Sequence, residues 1–356
     1  MNKDKNIPVD LLTRSEEIKS VDGGRLYRKI DRTIEHNYRR KRRMRGLRIT
    51  AAAVMAAAMA GTGIFLSGTM GRGTHSGMRI SDNVVLTLPG GEQFSWDADN
   101  NADAQIAMCG GISLLSQDGI LIHKPSGVDA ATYAGSQAGE IVFGNIYIPR
   151  GAFFDMVLAD GTHIWLNADS RLYYPLSFGG GERRVKLEGE AYFQVAKDPD
   201  KPFVVETEIQ QITVLGTEFN VYAYDSEQIT TLAEGSISLA YGERERLVLR
   251  PGQQAILSDG GHDVSVKEIN VANASAWRNG MLAVDGNTLG EIFRKLSRWY
   301  DADVTYEFES PEIENLVLRG NIPLLEHVDQ VYDIMAASGK VELDIKGHKV
   351  KIRKLR

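Results

Sequence analysis

The sequence has little of the residue chemistry that most enzymes and metal proteins need. Its 356 residues include one cysteine, Cys109, so neither an intrachain disulfide nor a multi-cysteine metal cluster can form. The seven histidines are scattered, and none stands at metal-ligand spacing from another. No phosphate-loop or GxSxG nucleophile motif occurs. We therefore expect no catalytic, cofactor-binding or metal-binding residues, and a function other than catalysis.

One long stretch lacks charged side chains, residues 49–71, and the most basic part of the chain precedes it. At about 1.5 Å per helical residue it spans roughly 34 Å, enough to cross a hydrocarbon core of about 30 Å. With the positive-inside rule, this predicts a transmembrane helix at 47–71 and a cytoplasmic N-terminus. A signal sequence and a buried Ala-rich soluble helix are the alternatives. The residues that set this topology are Arg39, Arg40, Lys41, Arg42, Arg43 and Arg45.

The charge of the chain is divided unevenly along its length. Residues 1–48 hold 15 Lys and Arg against seven Asp and Glu, whereas the remainder holds 26 against 40. A basic inner segment and an acidic outer body are what membrane topology produces. Nucleic-acid binding by the basic run is the alternative, but the topology accounts for the charge without such a partner, so we expect no direct nucleic-acid contact.

A helical pattern lies in the inner segment, residues 1–46, just before the basic run. Apolar side chains recur there at spacings of three and four, which places them on one face of a helix. An isolated helix of this length has no core in which to bury that face, so we expect it to bind a partner protein. Juxtamembrane extension of the anchor helix and binding to a lipid surface are the alternatives. We name this face the inner stripe: Leu26, Tyr27, Ile30, Ile34 and Tyr38.

Short β-like runs separated by Gly, Pro or Asp follow the anchor. We divide them into a linker and first β segment at 72–140 and an all-β domain at 141–272. The runs arrive every eight to twelve residues, a pattern typical of a sandwich or an irregular solenoid. Asp160-Gly161 predicts a hairpin turn. Aliphatic-x-Gly-polar units recur at unequal spacing around Gly189, Gly216, Gly235 and Gly252.

The last part of the chain, residues 277–356, alternates strand and helix patterns and predicts a small α+β domain. One amphipathic helix is expected over 288–300, with Thr288 as its N-cap. A second helix is expected over 324–337, with a strand at 316–320 before it and two closing strands after it. The expected fold class is therefore a membrane-anchored multidomain chain with a single transmembrane helix, an all-β periplasmic domain and this α+β domain.

Several runs of the outer body resemble the FecR family of anti-sigma factors. They are IPRGAFFDMVLADGTHIWLNADSRLYYP (148–175), VKLEGEAYFQVAKDPDKPFVVET (185–207), VLGTEFNVYAY (214–224) and LRPGQQAIL (249–257). The final domain, with LSRWYDADVTYEF and GNIPLLEHVDQVYDIM, is similar to the C-terminal domain of the subtype linked to TonB-dependent uptake. That domain resembles the secretin/TonB short N-terminal module.

The resemblance implies a single-pass inner-membrane regulator with a periplasmic body. Its partners would be an extracytoplasmic-function (ECF) sigma factor, reached through the inner stripe, and the signalling domain of an outer-membrane TonB-dependent transporter. It would control transcription of nutrient-uptake genes. In related systems an intramembrane protease cuts the anchor, and Gly61 and Gly63 would ease unwinding there, although glycine is also common in membrane helices. Family members usually carry a longer inner domain with tryptophans, which this chain lacks.

Two other functions fit parts of the same sequence. A membrane-anchored glycan-binding module would use aromatic side chains of the β domain such as Trp165, Tyr173 and Tyr174, which also fit a buried core. A periplasmic hydrolase would use a pair of carboxylates near strand ends, as in glycosidases. The candidate carboxylates are Asp160, Asp169, Glu188 and Glu190.

Overall fold

The computed structural model describes residues 84–96, 104–109, 112–117, 119–125, 141–242, 245–301, 304–325 and 327–355. All of these residues belong to the unit formed by residues 75–356. The predicted transmembrane helix, the inner stripe and the basic run lie outside the described residues. Within the described ranges, no helix has the length and hydropathy needed to cross a membrane.

The described chain from residue 84 to residue 268 forms short strands, which we call the β body. The strands are β1 (Val84–Thr87), β2 (Gln93–Trp96), β3 (Ala104–Cys109), β4 (Ile112–Gln117), β5 (Ile120–Pro125), β6 (Phe143–Ile148), β7 (Phe154–Val157), β8 (His163–Leu166), β9 (Ser170–Pro175), β10 (Arg183–Gln194), β11 (Phe203–Glu206), β12 (Gln210–Val214), β13 (Glu218–Ala223), β14 (Gln228–Glu234), β15 (Ile237–Tyr241), β16 (Glu245–Leu249), β17 (Gln253–Ser258) and β18 (Asp263–Glu268). A 3-10 turn, Asp259–Gly261, joins the last two.

The strands pair into two long sheets. Sheet A has the order β2-β1-β6-β9-β10-β11-β12-β15-β16, and sheet B has the order β3-β4-β5-β7-β8-β10-β13-β14-β17-β18. Neighbours are antiparallel except for β10–β11 and β5–β7, which are parallel. Strand β10 belongs to both sheets, because its first half pairs with β9 and its second half with β8 and β13. Successive hairpins thus alternate between two facing sheets, which combines the predicted sandwich with a solenoid-like progression.

The recurring glycines lie where the chain passes from one sheet to the other. Gly189 divides the two halves of β10, and Gly216, Gly235 and Gly252 stand between β12 and β13, β14 and β15, and β16 and β17. All four have positive φ angles. At Gly189 (φ 102°) a β carbon would lie 2.4 Å from the side-chain oxygen of Ser170. The unequal repeat seen in the sequence therefore marks the sheet crossings, where only glycine fits without strain.

The core of the β body lies between the two sheets. Alternate residues of each strand point inward, and the largest of these are fully buried aromatic and aliphatic side chains such as Phe154, Phe193, Phe203 and Phe219. The hairpin predicted at Asp160-Gly161 joins β7 to β8 and is confirmed. Strands before residue 126 join the same sheets, because β1 pairs with β6 and β5 pairs with β7.

The described residues 281–355 form a C-terminal subdomain with a separate core. Its elements are β19 (Met281–Ala283), α2 (Leu289–Trp299), β20 (Thr305–Phe308), α3 (Pro311–Glu314), β21 (Asn321–Pro323), α4 (Val328–Ala337), β22 (Val341–Lys346) and β23 (Lys349–Lys354). A connecting segment, residues 269–280, links it to the β body and contains α1 (Val271–Ala274) and the 3-10 turn Ala276–Asn279. Strands β19 and β21 pair with each other, and β20-β23-β22 form a three-stranded sheet.

The predicted α+β class of this region is confirmed, with local differences. Thr288 caps α2 in a capping box, since its side chain accepts from Glu291 N and its own N–H donates to Glu291 Oε2. The strand expected at 316–320 begins instead at Asn321, and α3 precedes it. The helix expected from Leu324 begins at Val328. Proline accounts for the additional helix α3, because Pro311 occupies its first position, where the fixed φ angle and the missing N–H are tolerated.

Candidate functional site

The candidate site is the junction between the β body and the C-terminal subdomain, on the outer face of sheet B. Pairing of β8, β10, β13, β14 and β17 sets one row of side chains side by side across this face. Side chains alternate between the two faces of a strand. Because the inward-facing residues form the apolar core, the row consists of the outward-facing residues between them. Its members are Trp165, Tyr192, Asn220, Thr231 and Gln254.

Glu190 lies at the centre of the junction and is 8% exposed. Its carboxylate accepts hydrogen bonds from Asn167 Nδ2 at 2.7 Å and Asn220 Nδ2 at 2.9 Å. Its backbone N–H donates to Ser170 Oγ at 2.9 Å. Burial raises the pKa of this carboxyl group, while Lys295 and the two amides act in the opposite direction. Glu190 is therefore a buried acid whose hydrogen bonds join β10 to β13, to the residue that follows β8 and to the first residue of β9.

The connecting segment attaches to this face through two consecutive side chains. Trp277 is buried, and its Nε1 donates to Asn220 Oδ1 at 3.2 Å. The guanidinium carbon of Arg278 lies 3.6 Å from the centre of the Tyr192 ring and 4.7 Å from that of Trp165. Cation–π contacts contribute about 0.5–1 kcal/mol each at exposed sites and about 2 kcal/mol or more when they are desolvated. The segment is thus fixed to the β body before the C-terminal subdomain begins.

Helix α2 makes the second attachment, through Arg298. Its guanidinium carbon lies 4.1 Å from the centre of the Tyr224 ring. Its Nη1 donates to the Tyr222 hydroxyl at 3.1 Å, and its Nη2 donates to both carboxylate oxygens of Asp225 at 3.2 and 3.3 Å. The backbone carbonyl of Arg298 accepts from Gly151 N at 2.8 Å, which satisfies an end-of-helix acceptor. We name the side-chain contacts of Arg298 with Tyr222, Tyr224 and Asp225 the Arg298 latch.

Lys295, one turn before Arg298, also faces the junction. Its Nζ donates to Asn287 Oδ1 at 2.9 Å and lies 5.6 Å from the centre of the Tyr222 ring. Burial lowers the pKa of Lys295, and the nearby Glu190 opposes that shift. Glu190, Lys295 and Arg298 line a cavity of about 90 Å³, which has room for a few water molecules. The site brings one carboxylate and two basic side chains together in a partly enclosed space that apolar side chains such as Leu282 and Leu324 also line, and it is a contact between two parts of the protein.

The structure separates the aromatic residues proposed for glycan binding. Trp165 lies on the outer face of sheet B against His163 and Arg278, and Tyr173 lies on the outer face of sheet A. Tyr174 is in the core, where its hydroxyl group and His123 Nε2 are 3.0 Å apart. The three side chains therefore do not form one sugar-binding platform.

The candidate carboxylates are likewise dispersed among different partners. Asp160 pairs with the buried Arg183 at 2.7 Å, and Asp169 pairs with Arg150 at 3.2 Å. Glu188 is exposed on sheet A, whereas Glu190 is buried on sheet B. Among the described residues, no group of three or more His, Cys, Asp or Glu side chains is placed to hold a metal ion.

Sequence reasoning named Glu190 only as a candidate acid and missed Lys295 and Arg298. A signal was present, because the two bases are three residues apart on the polar side of the predicted helix 288–300. The β-body partners of Arg298, however, are 73 and 76 residues earlier in the chain. No local pattern connects positions at that separation.

Family models match the chain on both sides of the junction. Residues 145–238 match the family model "FecR protein", and residues 281–352 match the model "FecR, C-terminal". Two crystal structures of a Parabacteroides distasonis protein classed as an anti-sigma factor, at 1.65 and 2.50 Å resolution, are similar to this chain. Both have 25% identity and a TM-score of 0.54, and the match covers 60% of this chain and 99% or 100% of theirs. No curated protein matches the chain.

Proposed function

The chain belongs to the FecR family and is a sigma-factor regulator of the FecR type, and from this premise we propose that it relays a signal across the inner membrane. In this proposal the signalling domain of an outer-membrane TonB-dependent transporter contacts the C-terminal subdomain when the transporter binds its cargo. The β body and a single transmembrane helix carry the signal to the cytoplasmic segment. That segment acts on an ECF sigma factor, and transcription of nutrient-uptake genes changes.

The observation that carries this proposal is the junction between the two matched domains. Glu190 and Asn220 lie in the first matched range, and Arg298 lies in the second. Because Arg298 and Trp277 contact the outer face of sheet B directly, a force on the C-terminal subdomain acts on the β body. Two domains in direct contact can transmit a movement from one to the other, which a relay requires. A glycan-binding module would need only one domain with a binding pocket.

The sequence supports the remaining steps of the proposal. The uncharged stretch at 49–71 and the basic run before it favour an inner-membrane protein that crosses once, with its N-terminus in the cytoplasm and its body in the periplasm. The inner stripe offers an apolar face for the sigma factor. An intramembrane protease that cuts within the span, near Gly61 and Gly63, is a further partner in this proposal.

Two measurements test the relay. Residues 1–48, fused to an affinity tag, should co-purify with the ECF sigma factor that is encoded nearest to the gene of this chain, and the same fragment carrying Ile30→Asp should not. In cells, cargo of the neighbouring transporter should change a sigma-dependent reporter only when the full chain is present. A reporter that responds equally without the chain would contradict the proposed function.

The topology requires its own measurement. Compartment-sensitive reporters, such as a phosphatase that is active only in the periplasm, are fused to each end of the full chain. We expect periplasmic activity at the C-terminal fusion and none at the N-terminal fusion. The matched control replaces the six topology residues with glutamine, which should reduce the preference for this orientation. The same compartment at both ends would exclude a relay across the membrane.

A further inference from the structure

The two hydrophobic cores of the described chain are separate. One core lies between sheets A and B, and the other lies within the C-terminal subdomain around Phe293, Val331 and Ile352. The junction between them is made chiefly of hydrogen bonds and cation–π contacts, and Trp277 belongs to neither core. Because the two cores share no residue, the two parts can separate without the unfolding of either core.

The two attachments differ in how readily they open. Arg278 lies over two neighbouring aromatic rings of sheet B, and Trp277 is buried, so the connecting segment is fixed to the β body. In the Arg298 latch, the Arg298 side chain is 13% exposed, but the Asp225 side chain is 47% exposed and open to water. Water competes for an exposed ion pair, which therefore contributes little stability. The α2 attachment is therefore the weaker one, and it consists of the latch, which a single side chain forms, and the hydrogen bond from Gly151 N to the Arg298 carbonyl.

A flexible residue stands between the two attachments. Gly280 ends the 3-10 turn that carries Trp277 and Arg278, and β19 begins at the next residue. Its backbone is left-handed, with φ 66° and ψ 29°, and a β carbon placed there would meet open space. Glycine can leave this conformation more readily than any other residue, since it has no β carbon to restrict φ and ψ. Gly280 is therefore in the position of a hinge.

We propose that the C-terminal subdomain rotates about Gly280 when Arg298 leaves Tyr222, Tyr224 and Asp225 and its carbonyl group leaves Gly151 N, while Trp277 and Arg278 keep the connecting segment on the β body. One part of this inference rests on the proposed function. It is that a contact on the C-terminal subdomain opens the latch and thereby changes the β body. Closed and open arrangements would then be the two states of the relay, and a partner that favours the open state would shift the balance between them.

Opening can be measured by the reactivity of thiols placed in the junction. Ala168 and Ala283 are buried, line the cavity and belong to neither core, and they come from the β body and the C-terminal subdomain respectively. Full-length chains with Ala168→Cys or Ala283→Cys are treated with iodoacetamide, and alkylation is followed by mass spectrometry. The native Cys109 is buried in the β-body core and reports unfolding of that core in the same sample.

Adding Arg298→Ala should raise the alkylation rate at both introduced thiols by about tenfold, because loss of the latch increases the open fraction. The matched control is Arg353→Ala, which removes an exposed arginine of β23 that lines no junction cavity and should leave the rates unchanged. Rates that do not rise with Arg298→Ala would overturn the latch. A parallel rise at Cys109 would also overturn it, because the β body itself would then be unfolding.

A disulfide lock tests the role of opening in the relay. A β carbon at Gly151 would lie 3.1 Å from Asp301 Cβ, so the two positions need to separate by about 0.4 Å to reach the 3.5–4.5 Å that a disulfide requires. In reporter cells, Gly151→Cys/Asp301→Cys should abolish the response to cargo when oxidised, and dithiothreitol should restore it. A normal response from the oxidised protein would overturn opening as the signalling step. If the wild-type chain gives no response, the proposed function fails, and the alkylation rates still decide whether the latch opens.

Discussion

Replacement of Glu190 by alanine tests whether the junction is energetically important. The substitution removes the acceptor of two buried amide groups, Asn167 Nδ2 at 2.7 Å and Asn220 Nδ2 at 2.9 Å. Each buried donor that is left without an acceptor costs about 1–3 kcal/mol. Removal of a buried charge offsets part of this cost, because the carboxylate no longer has to be desolvated. We therefore expect the free energy of unfolding to fall by about 2–4 kcal/mol.

Rotation of the amides cannot supply the missing acceptor without other losses. Asn220 Oδ1 already accepts from Trp277 Nε1, and Asn167 Oδ1 accepts from Ala168 N. Turning either amide by half a revolution would break one of these hydrogen bonds. Glu190→Gln retains one acceptor oxygen, so it should cost less, about 1–2 kcal/mol.

The assay is urea unfolding of the full chain, followed by tryptophan fluorescence, because Trp165 and Trp277 lie at the junction. Glu188→Ala is the matched control, since Glu188 is two residues earlier on the same strand and its side chain is 59% exposed. Its nearest cation, Arg171, is 3.8 Å away, and we expect a change below about 0.5 kcal/mol. Equal urea midpoints for the two alanine variants would refute the reasoning.

Three further predictions concern pH, the sheet crossing and the inner stripe. Burial raises the pKa of Glu190 above its ordinary value of 4.5, so the folded state binds this proton more tightly than the unfolded chain. The stability of the wild type should therefore fall relative to Glu190→Gln as pH rises above about 4.5, and parallel pH curves of the urea midpoint would contradict this. Gly189→Ala should lower the free energy of unfolding by about 3 kcal/mol or more, because φ is 102° and the new β carbon would lie 2.4 Å from the Ser170 side-chain oxygen on β9. Gly180→Ala should lower it by about 1 kcal/mol, because a β carbon at Gly180 would meet open space. Thermal unfolding compares the two, and equal shifts would exclude the steric explanation. Ile30→Asp should abolish the response of the sigma-dependent reporter while membrane insertion persists. Arg32→Asp, which lies outside the inner stripe, should leave the response intact. An unchanged response with Ile30→Asp would show that the inner stripe takes no part in the relay.

Much of the fold could be predicted because its signals are local. Alternation with period two identified the strands, and Asp160-Gly161 identified a hairpin that the structure contains. The spacing of apolar residues and the Thr288 cap identified α2 nearly to the residue. Each of these features depends on contacts within about ten residues, which a sequence displays directly.

Pairing between distant strands could not be predicted in the same way. The aliphatic-x-Gly-polar units were visible, but their unequal spacing concealed that each one marks a passage between sheets A and B. The double membership of β10 depends on β8, β9 and β13, which lie on either side of it in the chain. Register between strands is decided by which faces can be buried together, and that is a property of the assembled sheets.

By itself, the sequence determined the β-rich class, the α+β ending, the family resemblance and the uneven charge that predicts a membrane topology. The tertiary structure alone decided that Glu190 is buried while Glu188, two residues earlier, is exposed. It alone brought Arg298 to Tyr222 across 76 residues. The physical reason is that local backbone preferences act between near neighbours, whereas the burial of a charged side chain depends on every element that closes around it.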